Sequence, residues 1–581
     1  MTLNRGGGKK ILIINLARMG DLLQMTPFLK GFCRERPGVR ITLLVLKEFY
    51  DVCKGFPCVE SVETFDGDGY ISRLEDPGCS LVENFKTIQD LVEDLRNRGF
   101  DTVINLTFSR LSALLTYLLM VEDVRGITID DHGNRLVKNP WINHFYNMVT
   151  KREINLFNYV DFIRKAGGSD SPSSMHVDIS EADQRFAGAF YARRSVSDED
   201  FVVGFQPGAS KESRRWPTRS FGDLGGALIE DGAKILLFGT AAEKELGEGI
   251  GRCLCCAQDR REGHLFDMTG KTSVGQLAAL IKRCDLLVTG DTGTMHVATA
   301  VGTRVVALFF GPAFYPETGP YGEDHLVIQT DLPCAPCGHD VRCKNPRCRE
   351  SIKVSHVLQV IRMIREGFPE REVQVKDGPE WAGISLYRGV FDEEGMLEFR
   401  PVIRRPLAPM DLIRQVYREM WKIVLDGRPG KIDPARVGEK VKSLFALDGV
   451  RLNLDRESEI FERVAGLARE GSEISRKLVR WAGDVREHLA SIKKAGDVIH
   501  RIDEEIELQG MAHPACHPLT YMFRQGKENL EEGDLGLLSR KTLGLYATLL
   551  REAVLMRSGL QETLACLKGP PLGRETGDGS F

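Results

Sequence analysis

Residues 285–312 read DLLVTGDTGTMHVATAVGTRVVALFFGP. The stretch opens on a β-branched run, DLLVTG (285–290), and turns at Gly290-Asp-Thr-Gly293. A helical pattern over 293–301 follows, and the chain re-enters a strand at RVVALFF (304–310). Strand, short turn, helix and strand in so few residues predict one unit of a parallel sheet covered on both faces.

The same alternation extends outward from this unit. FVVGFQ (201–206), KILLFG (234–239) and HLVIQT (325–330) read as further strands, with helices at about 218–231, 242–252 and 274–283. Upstream, ILIINL (11–16), ITLLVL (41–46), SVETF (61–65), DTVINLT (101–107) and VRGITI (124–129) repeat the pattern, with helical spacing over Leu22 to Arg36 and Phe85 to Arg98. Residues 140–167 read as helical, and the polar stretch 167–174 marks a boundary. Two successive Rossmann-like halves predict an α/β fold with a cleft between them and ligands outside the carboxyl ends of the strands.

The final third differs. Residues 384–403 read as a β-hairpin around Glu393-Glu394-Gly395, and after about 409 the chain is almost wholly helical. From Ile460 through Gly471, Leu478, Trp481, Val485 and His488 to Ile506, a 4-3 spacing predicts one long helix with a coiled-coil-like seam. A break at Gly510 to Pro518 and a helix at about 534–567 then predict an antiparallel helical pair. The last dozen residues are expected to fray.

Composition sets the class. With 581 residues, 42% hydrophobic and 28% charged, the chain is long enough for several soluble domains. A net charge of −4, from 78 Lys and Arg against 82 Asp and Glu, excludes a generally basic nucleic-acid binder. No apolar run approaches the ~18 residues of a membrane span. The N-terminal run ILIINLA lacks the length and cleavage site of a signal peptide. Fourteen cysteines are too sparse for a disulfide scaffold, so a reducing cytoplasm is the expectation.

Three turns carry chemistry. Arg18-Met-Gly-Asp21 follows the first strand and sets a carboxylate at its carboxyl end, able to take a proton from a hydroxyl. The bland alternative is that Asp21 only caps a helix. Pro207-Gly-Ala-Ser-Lys-Glu-Ser-Arg-Arg-Trp-Pro217 gathers Lys211, Arg214 and Arg215 on a small, hydroxylated turn suited to a diphosphate, or equally to solvent. Gly290-Asp-Thr-Gly-Thr-Met-His296 brings backbone N–H groups and a helix N-terminus to an anion, or is an ordinary βα turn.

In order and spacing, these segments resemble glycosyltransferase family 9, the ADP-heptose:lipopolysaccharide heptosyltransferases, over roughly residues 9–367. KILIINLARMGDLLQMTPFLKGF, PGASKESRRWP, DTGTMHVATAVG and ETGPYG (317–322) carry the resemblance. It implies a GT-B fold and an inverting transfer from a nucleotide-activated sugar that requires no cofactor. Asp21 would be the general base, while Asp291, Thr292, Gly293 and His296 would hold the donor diphosphate. Arg214 stands where the family usually has Lys, and Ser210 matches a hydroxyl of the same loop. Glu243 matches a carboxylate that holds the donor ribose, and Thr272 a position lining the nucleoside pocket.

The resemblance implies a donor such as ADP-heptose, with another nucleotide-hexose as the alternative. The acceptor is a hydroxyl on lipopolysaccharide core or on protein, in the cytoplasm or at the inner-membrane surface. A non-catalytic scaffold is the rival from another class.

Cys334, Cys337, Cys343 and Cys348 cluster within fifteen residues, a spacing that predicts a structural metal, with Zn²⁺ the default and iron the runner-up. Some protein-directed heptosyltransferases have a comparable element, which tilts the acceptor towards protein. Cys253, Cys255 and Cys256 read as buried thiols, Trp481 and His488 as core, and the His513, Cys516, His517 turn as short of a metal site. The domain boundaries read from the sequence are 9–170, 198–370 with the 334–348 loop, a connector at 380–405, and a helical domain at 409–570. The last region is expected to pack on itself or form a homo-oligomer, otherwise to bind a partner.

Overall fold

The structure is a computed structural model that describes residues 8–75, 80–148, 155–254, 263–338, 341–367, 381–447, 452–531 and 533–568. Cys255, Cys256, residues 149–154 and the last dozen residues lie outside this set. The chain forms two compact units, Met1–Asn143 with Phe157–Ile403, and His144–Leu156 with Arg404–Phe581.

The first unit holds two sheets. In the N-terminal half β1 (Lys10–Asn15), β2 (Arg40–Leu46), β3 (Val59–Phe65), β4 (Thr102–Asn105), β5 (Asp123–Ile129) and β6 (Arg135–Lys138) take the order β3-β2-β1-β4-β5-β6. The first five run parallel, and β6 is antiparallel to β5. Ile11, Leu12, Ile13 and Ile14 are all buried, as the unbroken apolar run requires of a strand covered on both faces.

The second sheet comprises β7 (Val202–Gln206), β8 (Lys234–Leu237), β9 (Leu265–Asp267), β10 (Leu286–Thr289), β11 (Arg304–Phe309), β12 (Leu326–Thr330), β13 (Ile384–Phe391) and β14 (Leu397–Pro401). Its order is β14-β13-β12-β11-β10-β7-β8-β9. The 384–401 hairpin thus adds two antiparallel strands to a parallel sheet. In the first sheet β1 lies between β2 and β4, and in the second β7 lies between β8 and β10, so each sheet has a topological switch point there. All three candidate turns follow strands at those points.

The expected helix over 140–167 is two helices, Pro140–Met148 and Tyr159–Gly167. Asn158 begins the second, accepting from Val160 N at 3.1 Å and donating to Gly319 O at 3.2 Å. Within it Asp161 and Arg164 form a fully buried pair at 3.3 Å. Asp161 also accepts from Leu397 N and Tyr321 Oη, and Arg164 donates to Gly395 O. A buried pair needs further hydrogen bonds to its polar atoms, and Arg164 Nε is left without one among the described residues. Here those partners tie the N-terminal half to the second sheet.

In the second unit the single long helix expected across Ile460 to Ile506 is broken. Helices Asp455–Trp481 and Val485–Ala512 meet at a corner where the Asp484 carboxylate accepts from Glu487 N. An Asp after glycine offers the backbone an N-cap, and this overrides the heptad pattern. Trp481 and His488 are half-buried rings 5.9 Å apart at this corner rather than core residues. The helix Leu535–Lys568 packs antiparallel on Asp455–Trp481, with Arg557 against Glu462, Tyr546 over Gly471 and Gly536 beside Ala482. A Cβ at 471 would lie 2.3 Å from the Tyr546 ring, which explains glycine on the seam. Cys516 is buried and its thiol donates to Gln509 O. Among the described residues no helix is long and apolar enough to cross a membrane.

Candidate active site

The site forms where the helices Met19–Gln24 and Gly293–Val301 meet. Both begin in the turns singled out from the sequence, and two glycines let them touch. A Cβ on Gly20 would lie 3.0 Å from the His296 ring, and one on Gly293 would lie 2.8 Å from the Met19 methyl. The glycines of Met-Gly-Asp and Asp-Thr-Gly-Thr are therefore there for close approach.

Asp21 is the third residue of its helix, with Arg18 at the N-cap, and accepts from Arg18 N at 3.2 Å through Oδ2. The capping role is real but engages one oxygen. Burial pushes the carboxyl above its ordinary value, and Asp291 adds to this, while the Arg18 N–H and side chain oppose it. Tyr159, first residue of the helix Tyr159–Gly167, is buried, and its phenol is pushed up by burial and then by Asp21. Nothing in the sequence marked Tyr159, which reads there as one more apolar position.

Across from Asp21, Thr292 starts the helix Gly293–Val301 in extended conformation without capping it through its side chain. Its hydroxyl lies 3.1 Å from that of Thr289. The helix thus begins with N–H groups and a positive dipole end that no side chain of its N-cap quenches. His296 is buried, and burial lowers it to about 4, so the ring is neutral; its Nδ1 has no partner among the described residues.

The loop after β7 supplies the cation. Arg214 closes a short 3₁₀ turn and donates through Nη1 to Asp291 at 3.1 Å. Arg215 forks onto Ala209 O and holds the loop closed. Trp216 is buried with its Nε1 on Ile352 O, and Arg349 donates to Arg215 O at 2.6 Å. Ser210 and Lys211 are on the exposed side of the loop.

Glu243 lies over the start of the same loop, where a Cβ on Gly208 would be 1.9 Å from its Oε1. It accepts from Thr240 N at 2.9 Å and from Gln206 Nε2 at 3.4 Å, while Gln206 Oε1 accepts from Thr294 Oγ1 at 3.0 Å. Gln206 thereby links the Glu243 carboxylate to the Gly293–Val301 helix. The sequence signal for it was a polar residue ending an otherwise apolar strand. The turn bearing half-buried Thr272 runs beside Glu243, since Gly270 N donates to Gly239 O at 2.9 Å.

The structure thus gathers Asp21, Arg214, Asp291, Thr292, Gly293 and His296 at one point, and links Glu243 to it through Gln206. A half-buried carboxylate of raised proton affinity faces a helix start with its N–H groups and one arginine. The model of glycosyltransferase family 9 (heptosyltransferase) matches residues 88–346. Residues 88–346 are thus similar to a glycosyltransferase family 9 domain. Asp21 lies before the matched span; the other gathered residues lie inside it.

Lipopolysaccharide heptosyltransferase 2 of Escherichia coli (strain K12) is 35% identical over 136 residues, which are 23% of this chain and 38% of that protein. Lipooligosaccharide heptosyltransferase 2 of Haemophilus influenzae is 31% identical over 233 residues, 40% of this chain and 66% of that one. The chain therefore spans less than two thirds of the length of these relatives. The crystal structure of the glycosyl transferase family 9 from Veillonella parvula DSM 2008 superposes with TM-score 0.51 at 23% identity, covering 63% of this chain and 98% of that one. That likeness is one of fold, and the two sheets have the GT-B architecture of two Rossmann-like halves.

The four-cysteine loop adjoins this site. Cys337 N donates to Gly311 O, and a Cβ on Gly311 would lie 3.2 Å from Ser213 O, in the arginine loop. Cys334 and Cys343 are exposed, Cys337 is half-buried and Cys348 is buried. Burial raises the Cys337 thiol, and Cys334, Cys348 and Cys343 add to it, so the four share one neighbourhood. Among the described residues, however, no group of three or more His, Cys, Asp or Glu side chains is arranged to hold a metal ion.

Proposed function

We propose that the chain is an inverting glycosyltransferase that moves a heptose, or a related sugar, from an ADP-sugar to an acceptor hydroxyl. The observation that carries this reading is the Asp21 carboxylate, half-buried and raised in proton affinity, facing the start of the Gly293–Val301 helix across the Gly20–Gly293 contact. Asp21 takes the proton of the acceptor hydroxyl as its oxygen attacks the anomeric carbon. Attack from the face opposite the diphosphate inverts that carbon. The helix N–H groups and Arg214 receive the charge that develops on the departing diphosphate. Neutral His296 offers a further donor, while Glu243, Thr272 and Ser210 border the region that a nucleoside would fill.

The names of the matched relatives support heptose as the sugar and a lipopolysaccharide core as the acceptor. The cysteine spacing keeps a protein acceptor as the second reading, with Zn²⁺ or iron closing that loop as a structural element. The reaction is assigned to the cytoplasmic side, with the helical unit available for self-association.

Substituting Asp21→Asn tests the assignment. Product formation from ADP-heptose should collapse while binding of ADP persists. Undiminished turnover would overturn the general base. Titration with ADP-, UDP- and GDP-sugars should rank ADP first. Metal analysis of the purified protein beside Cys334→Ser tests the loop, and absence of stoichiometric zinc or iron would remove the metal.

A further inference from the structure

The exposed large apolar side chains of the first unit gather at one end of its first sheet. The helices Leu81–Asn97 and Arg110–Leu118 lie on one face of that sheet, since Val92 and Leu115 share a core with Ile14 and Val103. They run side by side, with Arg96 Nη2 donating to Met120 Sδ at 3.2 Å. Each leads into the start of the next parallel strand, so each begins at the carboxyl end of the sheet. Ser80 and Ser109 cap these starts, accepting from Val82 N and Ser112 N.

The capped turns hold apolar side chains in water. Leu81, Val82 and Phe85 are 72%, 61% and 66% exposed, and Leu111 and Leu114 are 40% and 42% exposed. Ile71, 56% exposed, extends the patch from the helix Gly67–Glu75, whose Arg73 Nε donates to buried Asn84 Oδ1 at 2.7 Å. Apolar surface held out by ordered, capped turns marks an interaction site. The charges among these side chains are mixed, exposed Lys86 and Arg110 standing with exposed Glu83. Burial of apolar surface, more than attraction of anions, is what this end offers.

The patch is continuous with the candidate active site. Leu16 N donates to Thr107 Oγ1 at 2.7 Å, which ties the turn that starts the helix Arg110–Leu118 to the turn bearing Asp21. Strand β4 also lies beside β1, so the two turns share one end of the sheet.

We propose that this end of the N-terminal half is a membrane-docking surface, through which Leu81, Val82, Phe85, Leu111 and Leu114 enter the interfacial layer of the bilayer that holds the acceptor's lipid. The inference rests on the reading of the acceptor as the sugar core of a lipid. A lipid-borne hydroxyl stays close to the bilayer surface, so the base that deprotonates it has to be brought there. Seating the apolar end on the bilayer does this, because Asp21 lies at the same end of the sheet. Apolar tips with mixed polar neighbours suit shallow insertion among headgroups and need no span.

The test floats the full chain with vesicles on a density gradient. Vesicles of phosphatidylcholine, and of phosphatidylethanolamine with phosphatidylglycerol, should both carry the protein. High salt should leave the bound share nearly unchanged, because apolar insertion is not screened. Phe85→Ser with Leu111→Ser should lower the vesicle partition coefficient about tenfold or more. Val554→Ser, at an apolar residue 45% exposed in the helical unit, should leave it unchanged. Failure of the wild-type chain to float with either vesicle would overturn the proposal, even if a variant fails to fold. So would flotation confined to the anionic vesicles and released by salt, or equal flotation of the double variant. A chain that floats with neither vesicle, yet passes from oligomer to monomer in the double variant, would assign the surface to a second copy instead. Flotation needs neither donor nor turnover, so its result is separate from that of Asp21→Asn.

Discussion

Arg214 Nη1 lies 3.1 Å from the Asp291 carboxylate, with both side chains largely withdrawn from solvent. The guanidinium is thereby held at the start of the Gly293–Val301 helix, and its buried Nε has no partner among the described residues. The pair also balances charge, because Asp291 raises Asp21.

Replacing Arg214 should therefore act on two observables at once. Charge-assisted hydrogen bonds contribute roughly 1.5–3 kcal/mol, so Arg214→Ala should weaken ADP binding about ten- to a hundred-fold by calorimetry. Arg214→Lys keeps the charge but loses the fork, and should fall between the two. With Asp291 less compensated, Arg214→Ala should also move the acid limb of the rate profile to higher pH. Unchanged ADP affinity would remove Arg214 from the donor site.

The pH dependence of turnover follows from Asp21. A general base works deprotonated, and burial with Asp291 lifts its pKa above the ordinary 3.8. Activity should therefore fall as pH drops through a value above 3.8 rather than at it. Asp291→Asn removes one of the raising charges and should shift that limb downward. Loss of the base in Asp21→Asn should lower kcat by roughly 10²–10⁴. A limb that stays put in Asp291→Asn would break the electrostatic link between the two carboxylates.

Much of this site was legible in the sequence because its parts are local. Strand, glycine turn and helix start lie within a few residues, so 18–21, 207–217 and 290–296 could each be read alone. What could not be read is how they meet. Gly20 and Gly293 look like turn glycines, yet a side chain at either would strike the opposite helix. Tyr159 gave no signal, since its nearness to Asp21 comes from tertiary packing. The heptad pattern past Trp481 failed for the opposite reason. Apolar period carries across a corner, while one Asp cap at 484 starts a new helix there.

Gln206 makes a prediction that the sequence motifs do not. Its amide donates to Glu243 and accepts from Thr294, so it positions the carboxylate and the helix start relative to each other. Gln206→Leu leaves the Thr294 hydroxyl without that acceptor, at a cost of about 1–3 kcal/mol in stability. Steady-state kinetics should show KM for the donor rising more than kcat falls. Gln206→Glu should be worse, because it sets a second carboxylate beside Glu243. A matched fall in kcat alone, with KM unmoved, would assign Gln206 to general stability instead.

Glu552 gives a test confined to the helical unit. It is buried on the helix Leu535–Lys568, and burial raises its carboxyl to about 8, with Arg551 opposing the shift. Below the ordinary 4.5 the group is protonated in both folded and unfolded chains and does not affect their balance. Between there and about 8 the unfolded chain ionises while the folded one does not, so stability falls as pH rises. Above that range both forms are charged and the penalty is complete. Glu552→Gln keeps the neutral shape and removes the penalty. The melting temperature of the variant should match wild type near pH 4, then exceed it increasingly towards pH 8 by roughly 5 °C or more. A difference that does not grow with pH would mean that Glu552 finds a compensating charge in the folded chain.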